Sequence, residues 1–328
     1  EMSASLVGSE MCIRDRLKGV LFSLTASFLF GCLYYLAIHL KPLTGESIFG
    51  IRMVLTLPCL FLALLLFKKW DEFILFLQRL KREPKLFLLI LTTSTIVGGQ
   101  MWLFLWAPNS GKAIEVSIGY LLMPIVMVAF GKIVYKEPLS RNKWLAIIFA
   151  FIGVVSNIML AGKLSLESVF VCTGYPIYFY LRRKFGLSHL HSFVFEIAFL
   201  IPVAIYFISK TDIQAVQQVN PHIYIFIALL GIISGAALIS YTLASTILPF
   251  NLLGLLGYVE PCVMLLISFL IGEKLNPDAY ILMSCLLIAV LLLILDGIQA
   301  VRRSHRKYKA QMKVKSVSYT HLTLPTKS

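Results

Sequence analysis

Apolar residues fall into ten long runs along the 328-residue chain, separated by short stretches of Pro, Gly, Asn, Ser or charged residues. The runs lie at 17–40, 46–67, 86–107, 113–135, 143–161, 165–182, 189–209, 222–247, 251–272 and 277–300. About 20 apolar residues, each rising ~1.5 Å in an α-helix, cross a hydrocarbon core of ~30 Å. Each run therefore predicts a membrane-spanning helix. Most connections carry turn chemistry, such as PNSGK at 108–112 and LPFN at 248–251. The tightest is AGKLS, between the fifth and sixth runs. The longest is KKWDEFILFLQRLKREPK at 68–85, where apolar and basic residues mix. That mixture predicts a short helix on the inner membrane surface, with a plain loop as the alternative.

Two of the runs echo each other. EVSIGYLLMPIVMVAFGKIVYKEPL (Glu115–Leu139) and LLGLLGYVEPCVMLLISFLIGEKL (Leu252–Leu275) both read Gly-Tyr, a proline, a long apolar run and Glu-x-Leu. The pairs are Gly119-Tyr120 with Gly257-Tyr258, Pro124 with Pro261, Glu137 with Glu273, and Leu139 with Leu275. Repeated membrane helices are the sequence mark of transporters built from two related halves. Charge supplies the orientation. With the N-terminus inside, the inner segments carry 21 Lys and Arg and the outer turns five, so the positive-inside rule places both termini in the cytoplasm. Five spans per half is an odd number, which inverts the second half relative to the first. The predicted fold is an all-α integral membrane protein of ten transmembrane helices in two inverted five-helix repeats. The halves are 17–161 and 162–303, with a basic cytoplasmic tail at 304–315.

Composition agrees with the pattern. Hydrophobic residues make up 59%, charged residues 14%, and the mean hydropathy is +0.85, whereas soluble domains are about 25% charged. The net charge of +14 is spread between apolar runs and along the tail, so it reads as topogenic charge and not as a nucleic-acid surface. The tail is also suited to anionic lipid. Cys32, Cys59, Cys172, Cys262 and Cys285 lie inside apolar runs at unrelated spacings, which predicts no disulfide framework, metal site or cofactor. The ends differ in character. SLVGSEMCIRDR (Ser5–Arg16) and SVSYTHLTLPTKS (Ser316–Ser328) resemble translated sequencing-library adapters. Segments 1–16 and 316–328 are therefore set aside as an expected artefact.

Ionisable groups deep in a bilayer are costly, and so mark functional candidates. Arg52, Glu196 and Glu260 stand out. Arg52 and Glu196 each precede a proline by six residues in the second helix of their half, so equivalent positions carry opposite charges. Helical rise brings them within reach of a direct or water-bridged pair, either functional or merely compensating. Several helices also show small or polar faces: Gly98 and Gly99 with Trp102 and Trp106, or Gly254, Gly257, Tyr258 and Pro261. Close packing accounts for the glycines, while the aromatics serve equally as cavity walls or interfacial anchors. Glu137 and Glu273 begin hairpins, where turn bonding or capping of the next helix is expected. Pro124 and Pro261 each remove a backbone donor within a run, predicting a kink or an unwound segment that can act as a gate.

IVGGQMWLFLWAPNSGKAIEVSIGYLLMPIVMVAFGKIVYKEPL, the EIAFLIPVAIY stretch and the terminal GEKL resemble the RarD-type permeases of the EamA group, within the drug/metabolite transporter superfamily. The resemblance spans about 17–305. It implies a multi-pass carrier of the bacterial inner membrane with a central cavity between inverted halves. Gln100 stands where the family pattern has asparagine, and Glu260 where it has no acid. Together these features predict a secondary transporter, moving a small amphipathic metabolite or drug outward by alternating access with protons as the coupling ion. Arg52, Gln100, Trp102, Trp106, Tyr120, Glu196 and Tyr258 are the expected substrate contacts, Glu196 or Glu260 the proton acceptor, and Pro124 and Pro261 the hinges. The rival readings are a lipid or lipid-linked precursor flippase and a membrane-embedded enzyme. The latter lacks support, since no HExxH, GxSxG or Walker motif occurs.

Overall fold

The computed structural model describes residues 2–136, 139–161, 165–187, 189–248 and 256–321. Among the described residues twelve α-helices and no strands occur: α1 (Met2–His39), α2 (Gly45–Leu66), α3 (Trp70–Arg82), α4 (Pro84–Trp106), α5 (Ala113–Tyr135), α6 (Arg141–Ala161), α7 (Leu166–Lys184), α8 (Leu190–Ser209), α9 (Ile213–Val219), α10 (Ile223–Ile247), α11 (Val259–Leu270) and α12 (Tyr280–His321). Eight are long and apolar enough to cross a membrane: α1, α2, α4, α5, α6, α8, α10 and α12. The other two expected spans differ. Helix α7 has 19 residues and ends in Arg182, Arg183 and Lys184, while α11 has only 12. The first residues of the expected ninth span, with Gly254, lie outside the described residues, as does Glu137. Helices α1 and α12 continue through the end segments, to Met2 and His321.

Local sequence explains where the helices begin. Thr44 and Ser165 cap α2 and α7 by accepting from the amides three residues on, and Asp212 Oδ1 accepts from two amides of α9. The 68–85 connection forms the expected short helix, α3, whose buried Phe73 and Phe76 pack on α8 and the neighbouring Phe195. Helix α9 holds the matching position in the second half, between that half's second and third spans.

Much of the packing repeats when α1, α2, α4, α5 and α6 are exchanged for α7, α8, α10, α11 and α12. Three contacts map onto themselves: α2 with α8, α5 with α11, and α6 with α12. Six more come in exchange pairs: α1 with α10 and α7 with α4; α5 with α7 and α11 with α1; α2 with α10 and α8 with α4. By contrast, α2 with α4, α5 with α6, α5 with α12 and α1 with α4 have no counterpart of similar extent among the described residues. Such pairing arises when two similar halves face each other across a two-fold axis. Glycines permit the closest approaches. A Cβ at Gly119 would sit 2.9 Å from the Ser168 carbonyl oxygen on α7, and one at Gly50 2.7 Å from that of Ala204 on α8.

The two ends of the bundle differ. Below, the outer end is the one at His39 and Ala113, following the orientation expected from charge. Here Asn109 Nδ2 donates to Ala37 O at 2.7 Å, Tyr34 Oη to Ala113 O at 2.9 Å, and Asn220 Nδ2 to His39 O and Lys41 O at 2.9 Å. The hydroxyls of Ser47 and Thr211 lie 2.6 Å apart, and those of Ser117 and Ser268 3.1 Å apart. Helix α5 records the contrast along its length. Residues 116–122 are all buried, whereas 126–134 are all at least partly exposed. Lipid contact alone exposes one face of a helix. Partial exposure on every face means that the inner end of α5 is packed less closely than its outer half, although Phe130 still meets Tyr180 with ring centroids 5.6 Å apart.

Candidate functional site

The buried charges fall into two clusters. The first surrounds Glu196, which is fully buried on α8. Its Oε2 accepts from Tyr178 Oη at 2.7 Å and pairs with Arg182 Nη1 at 3.2 Å. Arg182 also donates to Tyr178 Oη, to Leu187 O at 2.9 Å and to His189 O at 3.1 Å. This one side chain thus neutralises Glu196 and ties down the α7–α8 turn. The expected partnership of Glu196 with Arg52 is not formed. Both members of the actual pair come from the second half, and Arg182 lies in the Arg-Arg-Lys run that had read only as topogenic charge.

The second cluster surrounds Arg52 on α2. Arg52 is 5% exposed, its Nε has no hydrogen-bond partner, and among the described residues its guanidinium forms no ion pair. One face covers the Phe104 ring at 5.5 Å, a cation–π contact. Glu260 of α11, Tyr120 of α5 and Tyr175 of α7 lie within its electrostatic reach. The Tyr120 and Tyr175 hydroxyls are 3.3 Å apart. Glu260 also interacts with Tyr241 of α10. Glu260 is only partly buried. Thr56, one turn along α2 from Arg52, is buried with its hydroxyl unpartnered. The arrangement is a buried cation with an unused donor at Nε, with one carboxylate and two phenols within electrostatic reach, set between helices of both halves. It can bind and neutralise a small anionic group between aromatic walls.

The remaining expected site residues lie elsewhere. Gln100 is fully buried and donates to Phe170 O at 2.8 Å, so its amide joins α4 to α7. Trp102 and Trp106 pack with ring planes tilted by 31° and centroids 5.4 Å apart, beside the core that holds Tyr34 and Tyr120. Tyr258 packs into a separate cluster with residues of α5, α6 and α12, near Asp296. Pro124 lies within the helical span of α5, but the helix breaks at Gly257 and Tyr258, just before Pro261. Proline at 261 gives no amide to the carbonyl of residue 257, and its ring crowds that carbonyl. Glu273 caps a helix, but not the next one. Its two carboxylate oxygens accept from the amides of Ala113 and Ile114 at 2.8 and 2.7 Å, closing the first turn of α5 from the other half. Tyr175 and Tyr241 were not singled out in the sequence. For Tyr175 a signal existed in Gly174-Tyr175-Pro176, which uses the residue types of the echoed helices.

Comparison with known proteins agrees with this architecture. Residues 17–159 match the EamA-like transporter family. An uncharacterized transporter of Haemophilus influenzae is 51% identical over 86% of this chain and 94% of its own length. The chloramphenicol-sensitive protein RarD of Pseudomonas aeruginosa is 34% identical over 88% of this chain and 98% of its own. One solved structure shares the fold at a TM-score of 0.52, with 15% identity over 86% of this chain and 99% of its own. The chain belongs to the EamA-like transporter family, as a membrane transporter of the RarD type.

Proposed function

We propose that the protein is a secondary active transporter that moves a small amphipathic metabolite outward across the bacterial inner membrane. It works by alternating access between two inverted five-helix halves, with both termini in the cytoplasm. The observation that carries this reading is Arg52: a buried guanidinium whose Nε has no hydrogen-bond partner and which forms no ion pair among the described residues, set between helices of both halves. Burying an unpaired cation is unfavourable, so a site that keeps one is arranged for a ligand that supplies the missing charge. The exchange-symmetric packing supports the inverted repeat, because swapping the roles of the two halves would close the inner end and open the outer one. Glu260, within electrostatic reach of Arg52, is the coupling group in this reading. Glu196 serves instead as a structural anchor for the α7–α8 turn.

The direct test is transport of a labelled metabolite panel by the reconstituted protein, with and without a pH gradient. Arg52→Gln is expected to abolish accumulation that the wild type shows. Unchanged transport by that variant would remove Arg52 from the substrate path. Topology is tested separately: a reporter active only outside the membrane, fused after Arg303, is expected to stay silent.

A further inference from the structure

The charges of the cavity restrict what it can carry, if the transport reading above holds. Arg52 offers N–H donors in a planar fork suited to a carboxylate, and none is taken by a carboxylate of the described protein. One of its faces lies on Phe104, which leaves its N–H edge for a ligand. The groups within electrostatic reach of Glu260 are Arg52 from α2, Tyr120 from α5, Tyr175 from α7 and Tyr241 from α10. Tyr34 of α1 stands behind Tyr120. Phenols are ordinarily neutral at pH 7, which leaves Arg52 and Glu260 as the charges of this group. Empty, the pair sums to zero. A bound carboxylate makes the sum −1 in a space largely removed from water, which is strongly unfavourable. One proton on Glu260 restores zero. Empty and loaded cavities are then both neutral, and both can change their access between the two sides.

We propose that the transported species is a small organic carboxylate that takes Arg52 from Glu260, and that Glu260 binds one proton as it is displaced, so that carboxylate and proton cross together. The proton comes from water at the open end and returns to water with the substrate at the other. The pair carries no net charge, so the membrane potential does not drive it. An acid accumulated inside leaves down its own gradient.

Phenylpyruvate is a suitable probe, with a carboxylate for Arg52 and a ring for the tyrosine walls. Calorimetric titration of the purified full chain at pH 6, 7 and 8, in buffers of different ionisation enthalpy, gives affinity and proton uptake together. The expected result at pH 8 is about one proton taken up per anion bound, with affinity falling about tenfold from pH 7 to pH 8. Glu260→Gln should bind without proton uptake and without that pH dependence. Arg52→Gln should not bind. Arg52→Lys, which keeps the charge but loses the fork, should bind at least about tenfold more weakly; its binding and an unchanged melting profile guard against misfolding. Phenylpyruvate binding without proton uptake, or no binding at all, overturns the proposal. So does Arg52-dependent binding of phenylalanine or tyramine in preference to phenylpyruvate, although that result would keep the transport reading. Failure of all three probes, together with unchanged transport by Arg52→Gln, would remove both.

Discussion

At the scale of single residues, the two buried acids differ in what surrounds them. Glu196 has Arg182 and Tyr178 in direct contact, whereas Glu260, only partly buried, has Arg52 within electrostatic reach but forms no ion pair with it. A paired charge in the interior holds structure; an unpaired one awaits something. Removing one member of a buried pair leaves the other uncompensated, at a cost of about 3–5 kcal/mol. Arg182→Met is therefore expected to lower thermal stability severely in detergent, and Arg182→Met with Glu196→Leu to recover most of the loss. The measurement is a melting curve followed by size-exclusion fluorescence. A single variant as stable as the wild type would show that the pair holds nothing.

Two features act at the scale of elements. The Glu273 carboxylate meets the amides at the positive end of α5, where an anion is favoured by both hydrogen bonding and the helix dipole. Glu273→Ala is expected to cost about 1–2 kcal/mol in the same melting assay. It should also raise cysteine labelling at Ala113→Cys from the outer side, since α5 loses its tie to the other half. Unaltered labelling would confine Glu273 to local capping. The break before Pro261 is the second feature. Pro261→Ala supplies the missing amide and should let the helix run through Tyr258. Transport is expected to fall while expression and melting stay near wild type. A parallel loss of folding would make the break a packing requirement, not a hinge.

The whole molecule is asymmetric in use and nearly symmetric in design. Many of its helix contacts pair under exchange of the halves, yet polar contacts tie the outer end together while the inner end of α5 is packed less closely. The Ser117 and Ser268 hydroxyls, 3.1 Å apart and both fully buried on α5 and α11, offer a lock. Ser117→Cys with Ser268→Cys is expected to form a disulfide that holds the outer end shut. Transport should stop under oxidation and return with reductant. Full transport by the oxidised pair would mean that this contact does not open in the cycle.

Much of this was legible in the chain itself. Spans follow from apolar run length, because every backbone polar group in lipid must be satisfied within a helix. The echo of Gly119-Tyr120 and Pro124 in Gly257-Tyr258 and Pro261 pointed to related halves, and 68–85 announced α3 by its mixture of apolar and basic residues. Arg52 and Glu260 were visible because charge within an apolar run is rare. Partnership was not visible. Arg52 and Glu196 occupy equivalent positions, but repeat symmetry relates similar places and does not bring them together. Arg182 turns inward because the α7–α8 connection folds its carbonyls and Glu196 around one guanidinium. Tyr120 and Tyr258 match in sequence but face different clusters, since the helix continues at the first and breaks at the second. The one-dimensional pattern determined which segments enter the membrane and which residues were costly to place there. Which charge meets which, and which is left for a ligand, was decided by helix packing, because side-chain contacts between distant spans depend on tilt, rotation and close approach that periodicity does not encode.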